Sequence, residues 1–242
     1  MRVLLLRRKA PPLSRVPPPR LVRVPDPHSP DVFASPTLDV AKALLGDWLV
    51  YDRRAEGGPL LRGRIVETEG YTQDDPAFHG WGLYDEETGT LKKEGRGIEL
   101  FGPPGEAYVY LIYGVHWLLN VVTEPEGTGG AVLVRAVAPA LDDPGTRAFM
   151  QKRRAAADTA AGLTNGPGKL TEAFGITGEA HHGQMLTTSP LYLAPSAAGD
   201  EVIERPVATS ARVGLSKGTE RPWRFFYEGH PFVSNGTPSD QR

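Results

Sequence analysis

Two glutamates two residues apart, Glu67 and Glu69, begin a set of side chains able to hydrolyse a bond beside a flat ring. In an extended strand residues i and i+2 share a face, so both carboxylates of Val66-Glu67-Thr68-Glu69-Gly70-Tyr71 point one way and Thr68 the other. Either carboxylate can accept a proton from water, and a pair of solvated strand charges is the plain alternative. Further on, Tyr108-Val109-Tyr110-Leu111-Ile112-Tyr113-Gly114 carries three tyrosines, with Tyr108 and Tyr110 on one face and Tyr113 on the other, beside a turn glycine. Arg135 interrupts the apolar run from Ala131 to Ala138. Burying a guanidinium unpaired is prohibitive, so it needs a carboxylate, and Glu69 is the expected partner. With the amide of Asn120, these groups are what a pocket needs to stack a ring and activate water next to it.

The elements that must deliver them follow from pattern. Ser35-Pro36 opens a short helix on which Leu38, Ala41 and Leu45 recur at helical spacing, and Gly46 ends it. Trp48 to Asp52 and Leu60 to Glu69 read as strands. Residues 72 to 105 are polar, glycine-rich and aperiodic, which predicts a long functional loop with local turns. Tyr108 to Tyr113 and His116 to Val122 flank Gly114-Val115 as a hairpin, and Ala131 to Ala138 is a further buried strand. Helices are expected from Asp143-Pro144 to Arg154 and from Pro167 to Phe174, then strands at Leu191 to Ala194, Val207 to Val213 and Trp223 to Tyr227. Clustered strands with separate helices indicate an α+β fold, a single mixed domain over residues 31–236 with a largely antiparallel curved sheet and surrounding helices. Residues 237–242 are expected to fray.

Composition removes several chemistries. The 242 residues contain no cysteine, so disulfides, thiolate metal sites and a cysteine nucleophile are out. No pair among the six histidines has the spacing of a zinc hydrolase, so neither a metal nor a cofactor is expected. No apolar run approaches the roughly 20 residues of a membrane span. The net charge of −2 hides an asymmetry. Seven basic residues precede the first acid, Asp26, and the rest of the chain holds 20 Lys and Arg against 29 acids. Residues 1–30, with eight prolines, are therefore read as a flexible basic arm, either dispensable or an electrostatic tether to nucleic acid.

The motifs together resemble the alkyladenine (3-methyladenine) DNA glycosylases, monofunctional enzymes that flip a damaged purine out of duplex DNA. The likeness covers about Phe33 to Val233, including Asn165-Gly166-Pro167-Gly168-Lys169, Arg212-Val213-Gly214 and Pro222-Trp223-Arg224-Phe225. It implies that Glu69, the second glutamate of Glu-Thr-Glu-x-Tyr, is the general base and that Arg135 helps hold the attacking water. It further implies that Tyr71 and Tyr110 sandwich the extruded base and that Tyr113 is the wedge left in the duplex; Tyr108, as strand tyrosines more often are, is read as structural core. By the same likeness Asn120 discriminates against the 2-amino group of guanine, His79 contacts the damaged base, and the Val213 backbone contacts the water. His79 lies eight residues after Tyr71, where the family pattern has nine, and Gly80-Trp81-Gly82 replaces small polar residues.

Gly166, Gly168 and Lys169 resemble the glycine hairpin of other DNA binders, a site for phosphate at a helix N-terminus or a tight turn alone. The expected partner is double-stranded DNA bearing damaged purines, met as a monomer with no membrane involved. That places the protein with the nucleoid in the cytoplasm if bacterial and in the nucleus if eukaryotic. Three other functions fit parts of the pattern: a carbohydrate glycosidase using Glu67 and Glu69, a lyase-competent glycosylase using Lys169, and a non-catalytic binder of damaged DNA.

Overall fold

A computed structural model describes residues 24–241. Ser29 accepts a hydrogen bond from the Asp31 N–H to start helix α1 (Pro30–Phe33), and α2 (Thr37–Ala43) follows at once. The predicted cap at Ser35 is not used. Pro36 holds the cap position of α2, and the Thr37 N–H donates instead to Glu124, 2.6 Å away and 87 residues on. Strands β1 (Trp48–Asp52) and β2 (Leu60–Thr72) come next, then β3 (Tyr84–Asp85) and β4 (Thr90–Leu91) as a small hairpin inside the long loop. Strands β5 (Ala107–Ile112), β6 (His116–Val122) and β7 (Gly130–Pro139) continue the main sheet. Four helices follow: α3 (Pro144–Arg153), α4 (Ala160–Thr164), α5 (Pro167–Phe174) and α6 (Gly178–His181). Strands β8 (Leu191–Ala194), β9 (Val207–Ser210) and β10 (Arg224–Tyr227) end the order.

The main sheet has eight strands in the order β5-β6-β7-β2-β1-β8, with β10 also on β2 and β9 outside β10, every pairing antiparallel. Its axis is the 13-residue β2. One edge of β2 runs along β7 throughout. The other edge is shared, because Leu60–Arg64 pairs with β1 whereas Glu67–Glu69 pairs with β10. The handover coincides with register shifts between Ile65 and Thr68, where the ladder to β7 slips. A bulge of this kind bends a strand and re-aims its side chains. It leaves Glu67 and Glu69 both turned toward Arg135, as simple alternation predicted.

The core lies between the sheet and helices α2 and α5, where Phe33, Leu49, Ile65, Leu119, Leu170 and Phe174 are fully buried. Each such side chain contributes about 1.5–3 kcal/mol relative to exposure. A smaller cluster, with Phe78 edge-on to Phe101 at 5.8 Å, pins the 72–105 loop beside β5. That loop is therefore built on its own small core, which matters because it carries His79.

Several boundaries differ from the sequence reading, and β2 runs three residues past Glu69, to Thr72. The last residues assigned to the arm pack on the body: the His28 N–H donates to the Leu193 carbonyl at 2.9 Å, its ring meets Asp47 at 2.9 Å, and Val24 packs on Val50 and Tyr192. The rest of the arm, residues 1–23, lies outside the described residues. At the other end residues 237–241 are docked, not frayed, since Ser239 is buried, accepts from the Leu215 N–H at 2.9 Å and donates its own N–H to the Arg212 carbonyl at 2.8 Å. Strand β9 stops at Ser210 because Arg212 turns inward to Asp75. Among the described residues no helix is long and apolar enough to cross a membrane.

Candidate active site

Arg135 is held by both carboxylates of β2. Its Nε donates to Glu67 Oε1 at 2.7 Å, and its Nη1 lies 3.1 Å from Glu69 Oε2. Glu69, the expected partner, is thus the more distant of two. Glu67 also accepts from Arg224 Nε at 2.8 Å, from the Ser234 N–H at 2.7 Å and from the Ser234 hydroxyl at 2.8 Å. Burial alone would push the Glu67 carboxyl up, but the two guanidiniums and the Ser234 amide overcome that and hold it below the usual range. The arginine is driven the other way: burial would lower it, and the two glutamates raise it. Glu67 is thereby committed to structure, with three donors on Oε1 and one on Oε2 supplied by β7, β10 and the C-terminal segment.

Glu69 is equally buried but differently occupied. Its Oε1 accepts the Val213 N–H at 2.7 Å and its Oε2 accepts the Tyr71 hydroxyl at 2.8 Å. Val213 therefore contacts the carboxylate directly through its amide. The Tyr71 hydroxyl is pushed well above its ordinary value by burial and then by the Glu69 charge, so it stays protonated and donating.

Beside this cluster lies a cavity of about 360 Å³, lined by Tyr71, His79, Tyr108, Tyr110 and Asn120 among others. That volume falls in the range of small-ligand pockets. The Arg212 guanidinium sits 4.5 Å from the Tyr71 ring centre, backing one face, and is locked by Asp75, which with it is fully buried. His79 meets Tyr110 edge-on at 4.4 Å. Its Nε2 faces Arg96 Nη2 at 3.2 Å and its Nδ1 faces the Tyr108 hydroxyl at 3.1 Å. A guanidinium only donates, so Nε2 accepts and the ring proton resides on Nδ1. Burial first and Arg96 second lower the His79 pKa to about 4, which keeps the ring neutral at physiological pH. Asn120 Nδ2 donates to the Tyr108 carbonyl at 3.1 Å, leaving Oδ1 as the amide's acceptor.

Tyr71 and Tyr110 also border a second cavity, about 440 Å³, a groove containing Tyr113, Arg135, Gly166, Gly168, Lys169 and Val213. Tyr113 heads the β5–β6 hairpin at φ 53° with Gly114 at φ 70°, and the Val115 N–H closes the turn on the Ile112 carbonyl at 3.2 Å. Two consecutive left-handed residues make this the tight hairpin turn that matches strand twist. The Tyr113 ring is 82% exposed, a large aromatic offered to solvent. Across the groove Gly166 caps α5, whose first N–H groups lack intrahelical partners, and Lys169 Nζ reaches Asn165 Oδ1 at 2.9 Å.

Comparison with known proteins decides the family. The family described as methylpurine-DNA glycosylase (MPG) matches residues 31–231. The chain belongs to the methylpurine-DNA glycosylase family. A Salinibacter ruber relative named "Putative 3-methyladenine DNA glycosylase" is 54% identical, covering 88% of this chain and 99% of its own. Relatives of the same name from Nitrosospira multiformis and Chlorobium phaeovibrioides are 41% and 40% identical, covering 84% and 86% of this chain and 91% and 96% of theirs.

As a member, the protein is a DNA glycosylase of base-excision repair and its substrate is DNA. Membership also sets aside the carbohydrate glycosidase, and the geometry agrees: Glu67, the second carboxylate such an enzyme would need, is neutralised by Arg135 and Arg224. All the residues singled out around Glu69 gather at the two cavities, whereas several contributors were not foreseen. Arg212 and Asp75 are 137 residues apart, and Arg96 lies in the loop without periodic pattern. Tyr108, assigned to structure, lines the cavity through its hydroxyl. Arginine in the short Trp-Arg-Phe-Phe strand was the available signal for Arg224, parallel to the reasoning used for Arg135.

Proposed function

We propose that the enzyme flips alkylated or deaminated purines from duplex DNA into the cavity between Tyr71, Tyr110 and His79 and hydrolyses the N-glycosidic bond there. The observation that carries this is the placing of Glu69 directly behind both cavities: it accepts from the hydroxyl of Tyr71, which borders each of them, and it is held by Arg135 and the Val213 N–H, which line the groove under Tyr113. A base stacked in the first cavity leaves its sugar in the second, next to those groups. Water held by Glu69 and Arg135 attacks C1′ as its proton passes to the Glu69 carboxylate. The C1′–N bond breaks with its electron pair leaving on the purine, and an abasic site remains. Stacking is worth about 1–3 kcal/mol per base and offsets the few kcal/mol of unstacking. Tyr113 fills the vacated stack, Asn120 screens the purine edge, and the amides of Gly168 and Lys169 meet backbone phosphate beyond the Gly166 turn. The enzyme acts as a monomer and, in a bacterium like its relatives, in the cytoplasm.

The test is to incubate the protein with duplexes carrying 3-methyladenine, 7-methylguanine, hypoxanthine or ethenoadenine and to identify released bases. Free base with an otherwise intact strand is expected. Strand cleavage, or a covalent adduct trapped by borohydride, would instead make Lys169 a nucleophile, and binding without release would make the protein a silent binder.

A further inference from the structure

We infer that the Tyr71 hydroxyl, apart from its ring, positions the catalytic carboxylate: it occupies Glu69 Oε2 and so directs the water's proton to Oε1. The inference rests on Glu69 being the general base. Each carboxylate oxygen has two lone pairs in its plane. On Oε2 one is taken by the Tyr71 hydroxyl at 2.8 Å, and Arg135 Nη1 stands 3.1 Å from the same atom. On Oε1 the Val213 N–H at 2.7 Å takes one and leaves the other for water. The hydroxyl can do this reliably because its ring is fixed from behind. Arg212 lies 4.5 Å from the ring centre, is completely buried and is itself tied to Asp75, to the Gly70 carbonyl at 3.0 Å and to the Gly218 carbonyl at 3.1 Å. A purine stacking on the free face therefore meets a ring whose hydroxyl already steers the base catalyst. Recognition and chemistry then share one side chain. No proton leaves Tyr71 in the step; the water proton goes to Oε1 and the electron pair of the broken C1′–N bond goes to the purine.

Tyr71→Phe separates the two roles, since it keeps the stacking ring and its contact with Arg212 and removes only the donor. Hydrogen bonds to charged groups are worth about 1.5–3 kcal/mol, so single-turnover release of ethenoadenine should fall by about 10- to 150-fold. The half-saturating DNA concentration should stay within about twofold. Tyr71→Leu should by contrast also weaken binding, because the stack is gone. If Tyr71→Phe releases base at the parent rate, or loses rate only in step with binding, the positioning role is wrong. Failure of the parent enzyme itself to release base would overturn this together with the reading of Glu69, and the parent control tells the two failures apart.

Discussion

Glu67 is fully buried and shared between two guanidiniums, Arg135 and Arg224, and the amide and hydroxyl of Ser234. Its type and spacing were legible, and so was its shared face with Glu69, because both depend on neighbours along one strand. Its role was not, because Arg224 and Ser234 lie 157 and 167 residues away and reach it only after β10 docks on β2. Removing one partner of a buried ion pair costs about 3–5 kcal/mol because the other charges are left uncompensated. Glu67→Gln should accordingly melt well below the parent, by roughly 2–4 °C per kcal/mol lost in a domain of this size, while the folded fraction keeps its base-release rate. The pH dependence has a definite sign. A carboxyl held below its unfolded value stabilises the fold above that value, and the contribution disappears as pH falls through the folded one. Urea denaturation of the parent should thus show stability falling in acid below about pH 4, the ordinary carboxylate range, and the Glu67→Gln protein should lose part of that slope. Equal melting of the two proteins would mean the cluster is not as tightly coupled as its distances indicate.

Among elements, those with a strong period or flanking glycine and proline were legible to the residue: β1, β6, α5 and β8 have the expected limits. Helices α1, α4 and α6 went unread because four or five residues carry no helical period, although Ser29, Thr159 and Thr177 cap them. The β5–β6 hairpin shows the conflict of local and functional demands most clearly. Tyr113 holds φ 53°, a left-handed conformation costing a side-chain-bearing residue about 1–2 kcal/mol that asparagine tolerates better. Tyr113→Asn should therefore leave thermal stability equal or higher while removing the wedge. Flipping, followed by 2-aminopurine fluorescence beside the lesion, should weaken strongly. A variant that flips normally would return Tyr113 to the role of an exposed hairpin aromatic.

For the whole molecule, the fold class followed from clustered strands and separate helices, but strand order did not. Nothing local in the sequence says that β10 must share an edge of β2 with β1, or that residues 237–241 close over Arg212–Leu215. Charge, by contrast, is read directly. Beyond the first 25 residues the chain carries 20 basic against 29 acidic side chains, so a uniform field would repel DNA. The seven bases ahead of Asp26 are the obvious compensation. Each phosphate contact adds roughly −0.9 to the slope of log affinity against log salt. Deleting residues 1–23, all of which precede the packed Val24, should flatten that slope by about two to four units, with single-turnover release at saturating enzyme nearly unchanged. A full slope in the shortened protein would transfer DNA attraction to the groove containing Lys169 and Arg154.

Whether Glu69 activates water against a purine stacked beside it is read from single-turnover release of hypoxanthine from duplex DNA by the parent and by Glu69→Gln. The amide fills the same space but cannot accept the water's proton. The parent should release the base and leave an abasic site, whereas Glu69→Gln should bind the duplex with similar affinity and release base slower by at least the about 10²–10⁴-fold typical of a lost general base. Release at the parent rate by Glu69→Gln would mean that Glu69 is not the general base.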